Sequence, residues 1–369
     1  MRRLVPSLAA VLVGAALAAP AHAADWDEGD VYLEKDFRGA YVNEPKDWMG
    51  MGDEYDPIAI ELGLRYWYSW GAQNFASGGN SLGIEDQSHI GEAHLRIEDH
   101  SSNSFAKAIA GYSIAVSGSY AAPLDSGTIS DGTIAYAGLD FGWNPWGDQS
   151  GSGFGGLVGY QYWNNSPDSG RNNFTTATSS ADITFDPDTG QTFLPGDSAP
   201  NSVEAHMLRL GIQGKASFGD FIDVTGELVG VPYAKIGGQV GIDDPMFNCD
   251  VYCGPAQAPY GFEAGNISFI RSSPTEIDGW GYGAMAELWL GVHPTENITF
   301  RLGGRAWYLQ GTVDATYTAA SIGNPSDSDG GNPPDFDTPP TFVNMGFIET
   351  NNPFSMLRYG LLAELTYAF

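Results

Sequence analysis

The chain has 369 residues, of which 13% are aromatic and only 17% charged, with 49 glycines and a formal net charge of −29. So acidic a protein is excluded as a natural nucleic-acid binder, because the phosphate backbone demands a basic surface. A soluble two-domain enzyme of this length would show long helical periodicities, and none is found.

Residues 1–23 open with Arg2 and Arg3, continue through an apolar run from Leu8 to Ala19 and end on Ala21-His22-Ala23. That is the pattern of a secretory signal peptide cut before Ala24. Without its two arginines the net charge is −31. No later stretch approaches the roughly 18–20 unbroken apolar residues of a membrane helix. If the exported chain spans a membrane, it must therefore do so as a closed barrel, the other fold that satisfies every backbone hydrogen bond in hydrocarbon. Residues 24–57 are acidic and aromatic, with Trp26, Asp27, Glu28, Asp30, Tyr32, Glu34 and Asp36, and do not fit a strand pattern. They are expected to form an ordered extension; the alternative is a segment that folds into the lumen or meets a partner.

From residue 58 the chain alternates. Ile58, Ile60, Leu62, Leu64, Tyr66 and Tyr68 share one face of a strand, and Glu61, Gly63, Arg65 and Trp67 the other. The second strand, about 88–99, sets Ala93, Leu95 and Ile97 against Glu92, His94, Arg96 and Glu98. Further strands are expected near 105–117, 132–143, 154–164, 203–218, 221–240, 276–292, 297–318 and 354–369. The count is ten, or twelve if a long loop hides a hairpin. Connections near 100–103, 144–152, 219–220 and 294–296 are short. Those at 71–87, 118–131, 165–202, 241–275 and 319–353 are longer and rich in Gly, Pro, Ser, Asn and Asp.

The last strand sets Leu357, Tyr359, Leu361, Ala363, Leu365, Tyr367 and Phe369 against Arg358, Gly360, Leu362, Glu364 and Thr366. A final strand that is apolar on one face, ionic on the other and ends on an aromatic residue resembles the outer-membrane β-barrel proteins of Gram-negative bacteria. The resemblance implies an all-β, antiparallel, up-and-down transmembrane barrel over 58–369, with residues 24–57 in the periplasm. It makes Phe369 the assembly signal read by the barrel-assembly machinery. It also makes outer-membrane lipids and lipopolysaccharide the surroundings, and leaves an extracellular ligand open. An even strand count and alternating short and long connections fit it. Tyr66, Tyr68, Trp70, Tyr160, Tyr162, Tyr308, Trp280 and Tyr282 would form one aromatic belt, and Trp143, Trp146, Tyr367 and Phe369 the other.

A basic residue facing lipid near the midplane costs about 2–4 kcal/mol. Arg65, Arg96, Arg209, Lys215, Arg301, Arg305 and Arg358 fall on polar strand faces and are therefore expected inside. There they would form an ion-pair ladder with Glu61, Glu92, Glu98, Asp140, Asp223, Glu227, Glu287 and Glu364. A filled lumen is the first expectation, and a charged pore the second.

The loops are acidic, with only Arg171 and Arg271 as basic residues. No cofactor is expected, divalent cations at the acidic loops being the alternative. Cys249 and Cys253, four apart in one loop, read as a disulfide.

The omptin proteases share ten strands, and carry Asp pairs and an Asp–His pair at the extracellular rim; those motifs are not found here. His100 and His293 fall at the short turns, and His94 lies inward between Glu92 and Arg96. His89 and His206 fall on outward faces, where a lipid hydrolase would need a serine partner that the sequence does not supply. The chain is read as a non-enzymatic surface barrel serving envelope integrity, adhesion or recognition. The alternative is a narrow porin-like channel or small-solute transporter with a charged lumen.

Overall fold

Period-two alternation is realised as ten long antiparallel strands that pair in chain order. They are β1 (Ile58–Ser77), β2 (Asn80–Asp99), β3 (Ser104–Ala121), β4 (Gly132–Gly147), β5 (Gly153–Pro167), β6 (Ser202–Phe218), β7 (Ile222–Gln239), β8 (Glu276–Val292), β9 (Ile298–Ile322) and β10 (Phe342–Ala368). This computed structural model describes residues 58–77, 80–122, 126–147, 152–188, 192–219, 221–240, 268–295, 297–323, 337–338 and 340–369. The expected signal peptide, the segment 24–57 and the pair Cys249/Cys253 lie outside the described residues.

β10 closes the ring by pairing with β9 on one side and β1 on the other, so that Glu364 faces both Arg301 and Arg65. Closure removes the open sheet edge that hydrocarbon would not tolerate. Two short strands, Ser126–Ile129 and Ser268–Arg271, pair with the upper ends of β3 and β9 and make the sheet twelve-stranded. Ten strands thus form the wall, and the two extra ones belong to the long connections.

The outward face is apolar over the half nearer the short turns. Leu62, Leu64, Leu208, Leu210, Ile212, Leu228, Leu288, Leu290, Leu302, Leu361 and Leu365 are all exposed there. Above them come Tyr66, Tyr160, Tyr233, Trp280, Tyr282, Tyr308 and Tyr359, and below them Trp143, Trp146, Phe218, Phe221, Tyr367 and Phe369. An apolar band between two aromatic girdles is the outer surface of a membrane-spanning barrel. The chain end is tied in, the backbone N–H of Phe369 donating to the carbonyl of Ile60 at 2.9 Å.

Two expectations are corrected: of the long loop expected at 319–353, residues 319–322 belong to β9 and 342–353 to β10, paired with each other. Residues 71–87 are not a long loop: β1 runs to Ser77, β2 starts at Asn80, and the two remain paired throughout. The reason is that the pattern inverts above the upper girdle. There Phe75, Leu82 and Ile84 point inward and are buried, while Asn74, Ser81 and Glu85 point outward. Outside the membrane the barrel follows the soluble rule, and a strand with a polar outer face and many small residues reads as a loop.

The connection 168–201 has structure of its own. Arg171–Thr175 pairs with Gly196–Pro200, and a short 3-10 turn spans Ser180–Asp182. Its Ala177, Ile183 and Leu194 bury against Ile270, Ala320 and Ile322, so two long connections share a small apolar core.

Candidate functional site

The inward face divides into two zones. Nearer the short turns it is ionic, as the alternation of β1, β2, β6, β7, β8, β9 and β10 requires. Arg301 donates to Glu61 at 2.8 Å and to Glu364 at 2.7 Å. Arg65 reaches Glu92 at 2.8 Å and also pairs with Glu364. Arg305 pairs with Glu92 at 2.6 Å and Glu287 at 2.7 Å. Arg209 donates to Gln161 at 2.6 Å and to Glu227 at 2.8 Å, with Asp140 at 3.4 Å. Glu364, Glu92, Glu227 and Asp140 are each shared between bases from two different strands, so the charges neutralise one another across the lumen. Buried charges require this: removing one partner leaves an uncompensated ion in a low dielectric.

Two predicted members sit differently. Arg96 pairs with Glu98 on its own strand, reaches Gln213 and covers the Phe105 ring, placing it at the mouth of the lumen. Arg358 lies one inward position above Arg305, opposite Trp307 in the register of β9 and β10, bound to Asp86 at 2.8 Å, Asn165 at 2.9 Å and Ser69 at 3.0 Å. Lys215 and His293 both approach Asp223 near the short-turn end.

Sequence reasoning missed Lys107, which joins Asp140 and Glu227, and Asp86, which was assigned to a loop. Both missed residues follow the inward parity of their strands. Asp86 was hidden by the misread loop, and Lys107 was findable from the alternation of β3.

Small residues make room for this network. A Cβ on Gly71 would collide with the Asp86 carboxylate and the Arg358 guanidinium, one on Gly159 with Asp140, and one on Gly291 with Asp223. These glycines serve close approach of a charged group from the neighbouring strand.

Immediately above the ionic zone the lumen is crossed by aromatic rings from four strands. Trp307 of β9 packs edge-on against Trp67 of β1 (centroids 5.0 Å apart), Tyr136 of β4 (4.8 Å) and Trp163 of β5 (5.4 Å). All four are almost completely buried. The Arg305 guanidinium lies 4.8 Å from the Trp67 ring and 4.9 Å from the Trp307 ring. Beyond this layer Val203, Met207, Val231, Ile236, Leu309, Val313, Phe354 and Met356 continue as one apolar core. Below it a cavity of about 170 Å³ is bordered by Glu61, His94, Arg96, Lys215 and Gln213 and reaches the short-turn residues His100 and Asn103.

The donor set Glu61, His94 and Glu364 is close enough to hold a metal ion. The place between the two carboxylates is already taken by Arg301 Nη1. A metal there would have to displace a guanidinium, so these residues fit an ion pair better than a metal centre. His89 and His206 point outward as expected, each hydrogen-bonded to a tyrosine of the adjoining strand, Tyr66 and Tyr160.

The closed ring, the lipid-facing apolar band and the two girdles define the fold of the Gram-negative outer-membrane β-barrel proteins. Among solved structures, the outer-membrane protease OmpT from Escherichia coli is similar with a TM-score of 0.50 at 8% identity, over 86% of this chain and 98% of that one. The translocator domain of the autotransporter NalP from Neisseria meningitidis gives 0.32 at 9% identity, over 87% and 91%. A Pseudomonas aeruginosa FadL homologue gives 0.32 at 9%, over 85% and 90%. At these identities the likeness is one of fold. No protein-family model and no curated protein sequence matches the chain.

Proposed function

We propose that the protein is a non-conducting outer-membrane barrel, a rigid wall that carries structured acidic connections at the cell surface. It serves envelope integrity or surface recognition and does no chemistry in its lumen. The observation that carries this reading is the Trp67–Tyr136–Trp163–Trp307 layer, with the clustered ion pairs below it and, above it, buried apolar side chains and the closed Asp86–Arg358 pair. A ten-stranded barrel encloses little beyond side-chain volume, whereas water-filled channels belong to roughly 16–18 strands. The ion pairs then act as ballast that lets hydrophilic residues occupy the interior without leaving a charge unpaired. The lumen cavity opens toward the periplasmic turns, so it offers no through-path.

The competing channel reading needs the aromatic layer to part. Planar-bilayer conductance decides between them. The wild-type protein is expected to be silent, and steady open events with a defined ion preference would overturn the reading.

A further inference from the structure

The outward wall carries one feature that a passive lipid contact does not require. Along β8, β9, β10 and β1 the outward residues Tyr282, Gln310, Ser355 and Asn74 form a row of direct cross-strand neighbours. The row above consists of Trp280, Thr312 and Pro353. Because Ser355, Thr312 and Ala76 are small while Trp280, Tyr282 and Tyr308 are large, the wall is concave here, enclosing about 490 Å³. Tyr308 donates to Gln310 at 2.7 Å, and Gln310 donates to Tyr282 at 2.8 Å, which fixes the polar rim. The stacked pair Trp70 and Tyr359 lies just below.

Beside this groove stands Lys235 of β7, directly opposite Trp280 on β8 and opposite His206 on β6. Among the described residues it is the one lysine or arginine on the outward wall of the ten strands; the others point into the lumen. Its partner Asp278, 2.6 Å away, is exposed, as is Lys235 itself. Such a pair is weak and readily exchanged.

We propose that this groove binds the phosphorylated sugar headgroup of an outer-leaflet glycolipid. The inference rests on the membrane-spanning reading above and names a lipid for it. Aromatic rings flanked by amide and hydroxyl groups match the apolar faces and hydroxyls of a sugar. Lys235, with His206 beside it, matches the phosphate. The height fits as well, since the groove lies at and just above the aromatic girdle. Leu288, Leu302 and Leu361 below it on β8, β9 and β10 are exposed to take acyl chains. A soluble sugar phosphate would have no use for that apolar wall.

The test is binding of diphosphoryl lipid A, its dephosphorylated form and phosphatidylglycerol to the full-length detergent-purified protein, read by native mass spectrometry. Folding of each variant is checked by heat-modifiable mobility. Wild type is expected to prefer diphosphoryl lipid A. Lys235→Gln should weaken that binding about fivefold, the effect of one lysine near an anionic headgroup, and leave the dephosphorylated form unchanged. Trp280→Ala and Gln310→Ala should weaken both forms. Equal binding of all three lipids, or of diphosphoryl lipid A by wild type and all three variants, overturns the proposal. Conductance by the wild type would sink the closed-lumen reading while leaving this result standing, so the two fail separately.

Discussion

Arg305 and Trp307, two residues apart on the same inward face of β9, mark the boundary between two interiors: the guanidinium lies 4.9 Å from the indole ring, with the clustered ion pairs below and, above, apolar packing around the Asp86–Arg358 pair. The cation sits against the ring faces of Trp67 and Trp307 while its nitrogens are committed to Glu92 and Glu287. One strand thereby carries both the top of the clustered ion pairs and a ring of the layer that covers them.

If the ring layer closes the lumen, removing two of its members should open it. The double variant Trp67→Ala, Trp307→Ala is expected to show channel events in planar bilayers where wild type shows none. Two lost indoles leave a void of a size that the neighbouring side chains fill only partly. A silent, correctly folded double variant would mean that the apolar core above suffices by itself.

The Asp86–Arg358 pair tests the charge ballast. Arg358→Met leaves Asp86 buried without its cation and should cost about 3–5 kcal/mol. Adding Asp86→Asn removes the orphaned charge and should restore most of the loss. Urea titrations of heat-modifiable mobility in detergent read both values. A double variant no better than the single one would locate the cost in packing instead.

Gly71 and Gly226 form a matched pair. A Cβ on Gly71 would run into Asp86 and Arg358, whereas one on outward Gly226 meets its nearest atom at 3.8 Å. Gly71→Ala should destabilise by about 1–3 kcal/mol through overpacking, and Gly226→Ala should be neutral. Equal effects in the same titration would count against close approach as the role of Gly71.

The connection 168–201 should loosen in acid. The Asp182 carboxylate accepts the backbone N–H groups of Thr178 and Ser179 and both of their hydroxyls. The Thr178 bonds chiefly, then those of Ser179, hold its pKa below the ordinary carboxylate value. A depressed folded pKa contributes order that is present above the ordinary value, about pH 4, and is lost as the pH falls through the folded value. Amide exchange at Thr178 and Ser179 should therefore accelerate at low pH relative to neighbouring amides, and Asp182→Asn should abolish that excess. A pH-independent excess would exclude the carboxylate as its cause.

Much of the wall was legible in the sequence because lipid and lumen impose opposite chemistry on alternate residues. Glu61, Arg65, Glu92, Arg301, Arg305 and Glu364 could be placed inside from parity and from the cost of a charge in hydrocarbon. The direction of His89 and His206, and the aromatic belts, followed from the same period. Phe75, Leu82, Ile84 and Asp86 were not legible, because above the girdle water replaces lipid and apolar residues turn inward. The same period two then carries the opposite assignment.

By itself, then, the chain determined a ten-stranded alternating wall, its closure on the terminal aromatic strand and the inward set of charges. Those follow from local period and from transfer free energies that each residue experiences separately. Which arginine meets which glutamate, the meeting of Trp67, Tyr136, Trp163 and Trp307, and the groove beside Lys235 were decided only by the tertiary structure. They depend on strand register and ring closure, which bring together residues as far apart as Glu61 and Arg301 and which no single segment encodes.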